Sequence, residues 1–300
     1  MTSIIRRVFF SGILAAVGLL ALALGSDGAS AMPVSCLGSD CTVSDGAASI
    51  AYRTSVDPEL KTFSINGTDN LSEEEYHLCF DCNTSSKLGV ELDNNLTLTS
   101  ATQDEAANMV TAIFEGSGLK ITFDHLLTGG ANSGTIDETI TIENTQSTAL
   151  QFVLTELDDF DLNDTSDGDS ASFNGDFFTQ TDGPVSLFLS SSSFDFFTVG
   201  DCCEFNLLTD TLVGGHLGGV TSFGPGDAAF ALEYDISLAA GQSAIIRKQK
   251  VLFDNDSAPA GFKPKDFSVP EPGVLSLFGF GLIGLGAVRR RRRRGAPQAA

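Results

Sequence analysis

Short stretches in which apolar and polar residues alternate recur through the middle of the chain. Clear examples lie at residues 61–65, 119–123 and 139–143. These runs are rich in Thr, Phe, Val and Ile and are bounded by Gly, Asn, Asp or Ser, a pattern typical of antiparallel strands with one solvated face. Because the strands follow one another without intervening helices, the sequence predicts an all-β fold. We expect an antiparallel β-sandwich over roughly residues 45–255.

Three parts of this region depart from a plain series of strands. Residues 103–111 have the pattern of a short turn or helix in a connection. Residues 163–205 mix Ser, Asp, Gly and Phe without clean alternation, which predicts an irregular excursion. Residues 230–252 have the pattern strand, turn, strand around Gly241 and Gln242, which predicts a closing hairpin.

The chain is strongly acidic, and its charge is unevenly distributed. The 300 residues include 17 Lys+Arg and 39 Asp+Glu, for a net charge of −22. Residues 32–268 alone hold nine Lys+Arg and 37 Asp+Glu, a difference of −28. Such a surface repels polyphosphate, so we expect no nucleic-acid partner.

The N-terminal segment has the three parts of a secretory signal peptide. Arg6 and Arg7 precede an apolar stretch at residues 8–24, and Ala29-Ser30-Ala31 supplies small residues for cleavage. This order predicts a signal peptide at residues 1–31 that is cleaved after Ala31. The alternative is a retained N-terminal membrane anchor.

The C-terminal segment combines a proline motif, an apolar stretch and a basic run. Val269, Pro270, Glu271 and Pro272 precede sixteen apolar or small residues at 273–288. A helix of that length rises about 24 Å, somewhat less than the hydrocarbon core of about 30 Å, so it predicts a marginal single transmembrane helix. The basic run, which the positive-inside rule places in the cytoplasm, consists of Arg289, Arg290, Arg291, Arg292, Arg293 and Arg294.

These C-terminal residues resemble the PEP-CTERM sorting signal of exported bacterial proteins. The resemblance covers residues 269–294 and includes all three parts in the family's order. It implies processing by exosortase, a membrane-embedded cysteine protease, followed by release or transfer to the surface of bacteria that make exopolysaccharide. An ordinary C-terminal anchor would explain the helix and the arginines but not Pro-Glu-Pro.

The signals at the two ends define the expected layout. The signal peptide occupies residues 1–31, and an acidic β-sandwich ectodomain follows at 32–255. Residues 256–268 contain Pro259, Gly261 and Pro264 and predict a linker. The sorting signal takes 269–294, and 295–300 form a tail. We expect export with the inner membrane as an intermediate, then a location at the cell surface or outside the cell.

Six cysteines lie in the exported part, and their even number in an oxidising compartment predicts disulfides. Cys36 and Cys41 are expected to pair. A bond between the neighbours Cys202 and Cys203 is disfavoured, so we expect these two to pair with Cys79 and Cys82. The alternative is a zinc site made by the same four cysteines.

One acidic segment has oxygen ligands at alternate positions. Asp159, Asp161 and Asn163 are of the type that calcium requires, although the segment is not an EF-hand. The alternative is a solvated turn after a strand, which such residues also favour. We expect no cofactor unless calcium binds at this segment.

Residues that usually carry catalysis are sparse. There is no Trp, and the chain has three Tyr and three His without metal-binding spacing. We expect His125 to be an ordinary histidine at the edge of a loop and residues 73–75, three consecutive glutamates, to form a solvated face. No catalytic residue is predicted.

The sequence therefore predicts an exported, non-enzymatic protein of the cell surface or extracellular matrix, with a structural role or an association with exopolysaccharide. Its expected partners are exosortase, the membrane during transit, and exopolysaccharide. Two alternatives stay open: a secreted polysaccharide hydrolase, and a calcium-dependent carbohydrate-binding module.

Overall fold

The computed structural model describes residues 32–55, 58–80, 90–202, 212–213 and 216–254. Strands make up almost all of the regular structure in these ranges, and their pairings are antiparallel. The predicted all-β antiparallel class is confirmed. Besides the strands, the described residues contain a short helix α1 (Leu92–Asn95) and a 3-10 turn at Leu162–Asp164.

The largest sheet has ten strands, numbered along the chain. Across the sheet they are β1 (Val34–Ser35), β8 (Thr97–Asp104), β9 (Met109–Gly116), β10 (Leu119–Gly129), β11 (Ser133–Asn144), β21 (Ser243–Phe253), β15 (Val185–Ser191), β14 (Phe178–Asp182), β13 (Asp169–Phe173) and β19 (Ser222–Gly226). β10 and β11 alternate buried with partly exposed residues along most of their length, as the sequence pattern predicts.

The second sheet has five strands and faces the large sheet across the core. Across the sheet they are β16 (Phe196–Asp201), β20 (Ala228–Leu238), β12 (Leu150–Asp159), β6 (Glu73–Cys79) and β7 (Val90–Glu91). β12 is buried at eight successive positions, Phe152–Asp159, because both of its faces are covered. Its outer face contributes Leu157 to a small second core, which also includes Cys202 and Leu217.

Two smaller sheets complete the described structure. One contains β2 (Cys41–Asp45), β3 (Ala48–Arg53), β4 (Glu59–Ile65) and β5 (Thr68–Asp69), and the other contains β17 (Leu212–Val213) and β18 (His216–Leu217). The first packs against the β10–β11 hairpin, where the Gly129 N–H donates to Asp45 Oδ2 at 2.9 Å. The predicted disulfide between Cys36 and Cys41 is present, with the Cα atoms 5.3 Å apart.

The predicted closing hairpin is wrong, although both of its strands exist. β20 pairs with β12 and β16, whereas β21 pairs with β11 and β15 in the other sheet. The turn near Gly241 therefore carries the chain from one sheet to the other. Asn144 holds this crossing, because its side-chain amide donates to the Leu238 and Ala239 carbonyls at 3.2 and 3.1 Å.

Of two further local expectations, the turn within residues 103–111 is confirmed and the irregular excursion is corrected. Residues 103–111 form the end of β8, a tight turn and the start of β9, because Asp104 Oδ1 accepts the N–H groups of Ala106 and Ala107 and reverses the chain. The expected excursion at 163–205 contains the regular strands β13 to β16. Phe173 and Phe178 lie in this region, and their ring centroids are 4.6 Å apart.

Several predictions lie outside the described residues. These are the signal peptide with Ala31, the linker, the sorting motif with the arginine run, and the apolar stretch 273–288. Within the described ranges, none of the helices has the length and apolar character needed to cross a bilayer.

Candidate functional site

Six ionisable side chains meet between the two large sheets, each at most 1% exposed. Side chains alternate across a strand, so residues two apart face the same way. Ile246 and Leu252 of β21 face the core, and the two positions between them on that face are lysines. The buried charge cluster consists of Lys248 and Lys250 (β21), Glu138 (β11), Glu74 (β6), and Glu156 and Asp158 (β12).

Each lysine contacts carboxyl groups from more than one strand. Lys248 Nζ lies 2.7 Å from Glu138 Oε2 and also donates to Glu156 Oε1. Lys250 Nζ donates to Asp158 Oδ1 at 2.6 Å and to Glu74 Oε2. Since β21 belongs to one sheet and β6 and β12 to the other, these contacts join the two layers of the sandwich.

Two tyrosines add hydrogen bonds to the cluster. The Tyr76 hydroxyl donates to Glu138 Oε1 at 2.7 Å and accepts from Lys248 Nζ, and the Tyr234 hydroxyl donates to Glu156 Oε2 at 3.3 Å. Burial raises the pKa of both tyrosines, and the nearby carboxylates add to the shift. Both hydroxyls therefore stay protonated and act as donors to the acids.

The pKa values in the cluster move in opposite directions. Burial opposes the charge on both lysines, but the surrounding carboxylates outweigh it and raise the pKa of Lys248 and Lys250. Burial would raise the pKa of Glu74, but Lys250 and Lys248 outweigh it and lower that pKa. Burial raises the pKa of Asp158 well above its usual range, and the charge of Glu156 raises it further. The cluster thus pairs two ammonium groups with an ionised Glu74 and a neutral Asp158.

His125 lies at the edge of this cluster, and the expectation that it sits at the edge of a loop is wrong. It belongs to β10 and is fully buried, with Nε2 3.6 Å from Glu138 Oε1 and 3.8 Å from Glu74 Oε1. The expectation that residues 73–75 form a solvated face is also wrong, because Glu74 alternates inward while Glu73 and Glu75 are half-buried. The buried charge cluster therefore has no exposed carboxyl with which to contact an external substrate.

The aspartates predicted to bind calcium are only partly brought together. Asp159 is the last residue of β12 and is buried, and Asp161 follows it at intermediate exposure. Asn163 turns its side-chain amide toward Asp182, donating to the carbonyl oxygen at 3.0 Å and to Oδ2 at 2.7 Å. The calcium site stays a prediction, and the structure adds other aspartates to its surroundings.

Asp169, at the start of β13, and Asp227, between β19 and β20, lie near Asp159. Carboxyl atoms of Asp159 and Asp227 lie within 4.8 Å of each other. Asp169 is fully buried, and its Oδ2 accepts a 2.6 Å hydrogen bond from Gln180. We call Asp159, Asp161, Asp169 and Asp227 the acidic group.

Burial, together with repulsion between neighbours, raises the pKa values in the acidic group. Burial raises the pKa of Asp159 to about 7, with Asp161 and Asp227 adding to the shift. Burial likewise raises the pKa of Asp169 to about 7, with Asp182 and Asp161 adding to it, although Gln180 opposes the shift. Carboxyl groups crowded in this way gain from a cation that relieves their repulsion.

Two further cysteines in the described part of the chain are oxidised. Cys79 and Cys202 are each in a disulfide, so neither offers a thiolate for the alternative zinc site. The predicted pairing of Cys79 and Cys82 with Cys202 and Cys203 includes two residues outside the described ranges, Cys82 and Cys203.

Comparison with known families identifies the C-terminal segment. The PEP-CTERM protein-sorting motif matches residues 268–293. The chain is a PEP-CTERM domain-containing protein. The motif marks this PEP-CTERM protein as exported and names exosortase as its general kind of partner. No curated protein matches the sequence.

Solved structures share only a distant likeness with the PEP-CTERM protein. A bacterial glucoamylase complexed with acarbose is 11% identical, with a TM-score of 0.48 over 72% of this chain and 31% of its own, so the chain spans about a third of that enzyme. A putative aldose 1-epimerase from Escherichia coli K12 is 8% identical, with a TM-score of 0.48 over 72% and 99% of the two chains. A galactose mutarotase-like protein from Lactobacillus casei is 10% identical, with a TM-score of 0.44 over 71% and 99%. Likeness at this level carries no argument about activity.

Proposed function

We propose that this protein is delivered by the exosortase route to the cell surface or extracellular matrix, where its acidic sandwich has a structural, non-catalytic role. The sorting motif at residues 268–293 is the observation that carries the proposal. The Cys36–Cys41 disulfide agrees with it, because disulfides persist in oxidising compartments outside the cytosol.

The position of the ionisable side chains supports a structural role. A glycosidase needs two carboxyl groups that flank a bound sugar. In the described part of the chain, the densest set of acids and bases is instead sealed between the sheets, where Glu138, Glu156 and their lysine partners are at most 1% exposed. Groups placed in this way stabilise one packing arrangement of the two layers and do not contact polymer.

A sorting experiment tests the proposal. We replace Pro270, Glu271 and Pro272 by alanine in the full chain and follow the protein in membrane, surface and medium fractions of an exosortase-containing host. The unaltered protein is expected in the surface or medium fraction in a shortened form, and the variant in the membrane at full length. A matched control replaces Pro259 and Pro264 by alanine and should sort normally. Normal sorting of the triple variant, or of the unaltered protein in a host lacking exosortase, would contradict the proposal.

We propose calcium binding at the acidic group as a second function, which would suit a calcium-dependent carbohydrate-binding module. The raised pKa values of Asp159 and Asp169 support it: burial is the main cause, and a divalent cation would offset both the burial of these carboxylates and the repulsion from their acidic neighbours. Millimolar calcium should raise the melting temperature of the protein. Asp159→Asn with Asp161→Asn should abolish the rise, and exposed Asp176→Asn should retain it. The same melting temperature with calcium and with chelator would remove this proposal.

A further inference from the structure

Lys250 and Asp158 join the two sheets within the buried charge cluster. Lys250 lies on β21 and Asp158 on β12, and their side chains meet at 2.6 Å between Nζ and Oδ1. Glu74 lies on β6 directly opposite Asp158 in the strand register and also accepts from Lys250 Nζ. All three side chains are at most 1% exposed.

We propose that Lys250 and Asp158 join in an intramolecular amide bond, with Glu74 relaying the protons, so that the protein covalently links its own two sheets. The arrangement supplies an amine nucleophile, a carboxyl electrophile and a carboxylate base at one point. This self-modification goes beyond the proposed sorting and structural role and does not depend on where the protein is delivered.

The reaction balances without an oxidant or a second reagent. The Lys250 ammonium passes one proton to the Glu74 carboxylate, and the freed Nζ attacks Cγ of the neutral Asp158 carboxyl. The new N–C bond replaces the C–OH bond of Asp158, and the hydroxyl leaves as water with a second proton from Nζ. Glu74 ends protonated beside the amide. One ammonium, one carboxylic acid and one carboxylate thus become one amide, one water and one carboxylic acid.

The surroundings bring the reacting groups together and exclude water. Cγ of Asp158 is one bond beyond the oxygen that Lys250 already contacts, so little movement is needed for attack. The Phe160 ring lies 5.9 Å from Lys250 Nζ and contributes an apolar wall. The Lys250 ammonium already donates to the Glu74 carboxylate, so its proton can pass along an existing hydrogen bond. The burial of all three side chains excludes water and protects the amide from hydrolysis.

Lys248 is the internal comparison for this assignment. It is as deeply buried, but its Nζ lies among two glutamates, Glu138 and Glu156, and the Tyr76 hydroxyl. Asp158 meets Lys250 Nζ at 2.6 Å, and burial, together with the charge of Glu156, raises its pKa well above the usual range, which favours the neutral carboxyl that an amine can attack. We therefore assign the amide to Lys250 and leave Lys248 as an ion pair.

Mass spectrometry of the full-length protein tests the proposal. After reduction of the disulfides, the unaltered protein should be lighter than its sequence by one water molecule, and Lys250→Arg should not. Asp158→Asn should lose ammonia in place of water, because the leaving group changes. Glu74→Gln should lose most of the product, and Lys248→Arg should keep it. Digestion with trypsin and an acid-specific protease should yield a branched fragment joining the two strands.

The unaltered protein decides the question even if a variant fails to fold. An intact mass equal to the reduced sequence, or a branched fragment that joins Lys250 to an acid other than Asp158, would overturn the assignment. Water loss that persists in Lys250→Arg would also overturn it, since the modification would then lie elsewhere.

Discussion

Lys248 contacts two glutamates from different strands, and all three side chains are buried. If the ammonium is removed, water cannot solvate the carboxylate charges that remain. Glu138 lies beside it in the same sheet, and Glu156 lies across the core. Breaking one partner of a buried ion pair leaves an uncompensated charge in a medium that solvates it poorly. Single residues in this cluster are therefore expected to carry large stability effects.

Lys248→Met should lower the free energy of unfolding by about 3–5 kcal/mol, measured by urea denaturation. Lys61→Met is the matched control, because Lys61 is 47% exposed and lies 4.0 Å from Asp40. Exposed pairs of this kind contribute about 0–1 kcal/mol. Equal effects of the two substitutions would show that the buried contacts of Lys248 do not contribute as described.

The acidic group should make the protein less stable as the pH rises. The pKa of Asp159 and Asp169 is about 7 in the folded protein, against an ordinary value of 3.8. The folded state therefore binds protons more tightly than the unfolded state, so this contribution is complete below pH 3.8 and is lost as the pH rises toward 7. In chelator, Asp169→Asn should raise the melting temperature at pH 8 relative to the unaltered protein. This increase in melting temperature should shrink toward pH 4. An increase that grows on acidification would contradict the raised pKa of Asp169.

At the scale of elements, strand positions are more predictable than strand partners. The alternation at residues 119–123 and 139–143 correctly indicates β10 and β11, because each local run has its own buried face. The turn between β20 and β21 has the composition of a hairpin turn. A chain reversal, however, does not determine whether the two strands pair or enter opposite sheets, and that choice depends on β11, β12 and β15, which are distant in sequence.

The candidate sites show the same limit at the level of side chains. The residues of the sorting motif are contiguous, so the motif can be identified from the sequence alone. The buried charge cluster draws on β6, β11, β12 and β21, and its lysines occupy positions that the alternation pattern alone would assign to apolar residues. The signal available in the sequence was the register of Lys248 and Lys250 with Ile246 and Leu252.

The contact of the four-stranded sheet with the β10–β11 hairpin depends on a glycine. A Cβ atom at Gly129 would lie 1.7 Å from the Asp45 carbonyl oxygen, whereas one at Gly130 would mainly meet the Ser133 hydroxyl, which can rotate away. Gly129→Ala should therefore lower the free energy of unfolding by about 1–3 kcal/mol, the usual cost of overpacking. Gly130→Ala should cost clearly less in the same denaturation assay. The reverse order would contradict the described packing of Asp45.

At the scale of the whole molecule, an acidic exported sandwich should associate with anionic polymer only through cations. We expect the purified protein to release no reducing sugar from the host's exopolysaccharide and to be retained on it only when divalent cations are present. Monovalent salt of equal ionic strength is the control for screening. Release of reducing ends would favour the hydrolase alternative, and retention in chelator would exclude the cation-bridged association.

The last described strand lies at the centre of the largest sheet. β21 is paired with β11 on one edge and β15 on the other, and the chain leaves it toward the sorting motif. Tension applied to a tethered copy by flowing medium would thus enter the domain through a strand held on both sides. To leave the sheet, such a strand must break its hydrogen bonds to both neighbours at once. The domain should therefore resist pulling from this end better than pulling from Val34, which lies in the two-residue strand β1 at the edge of the sheet.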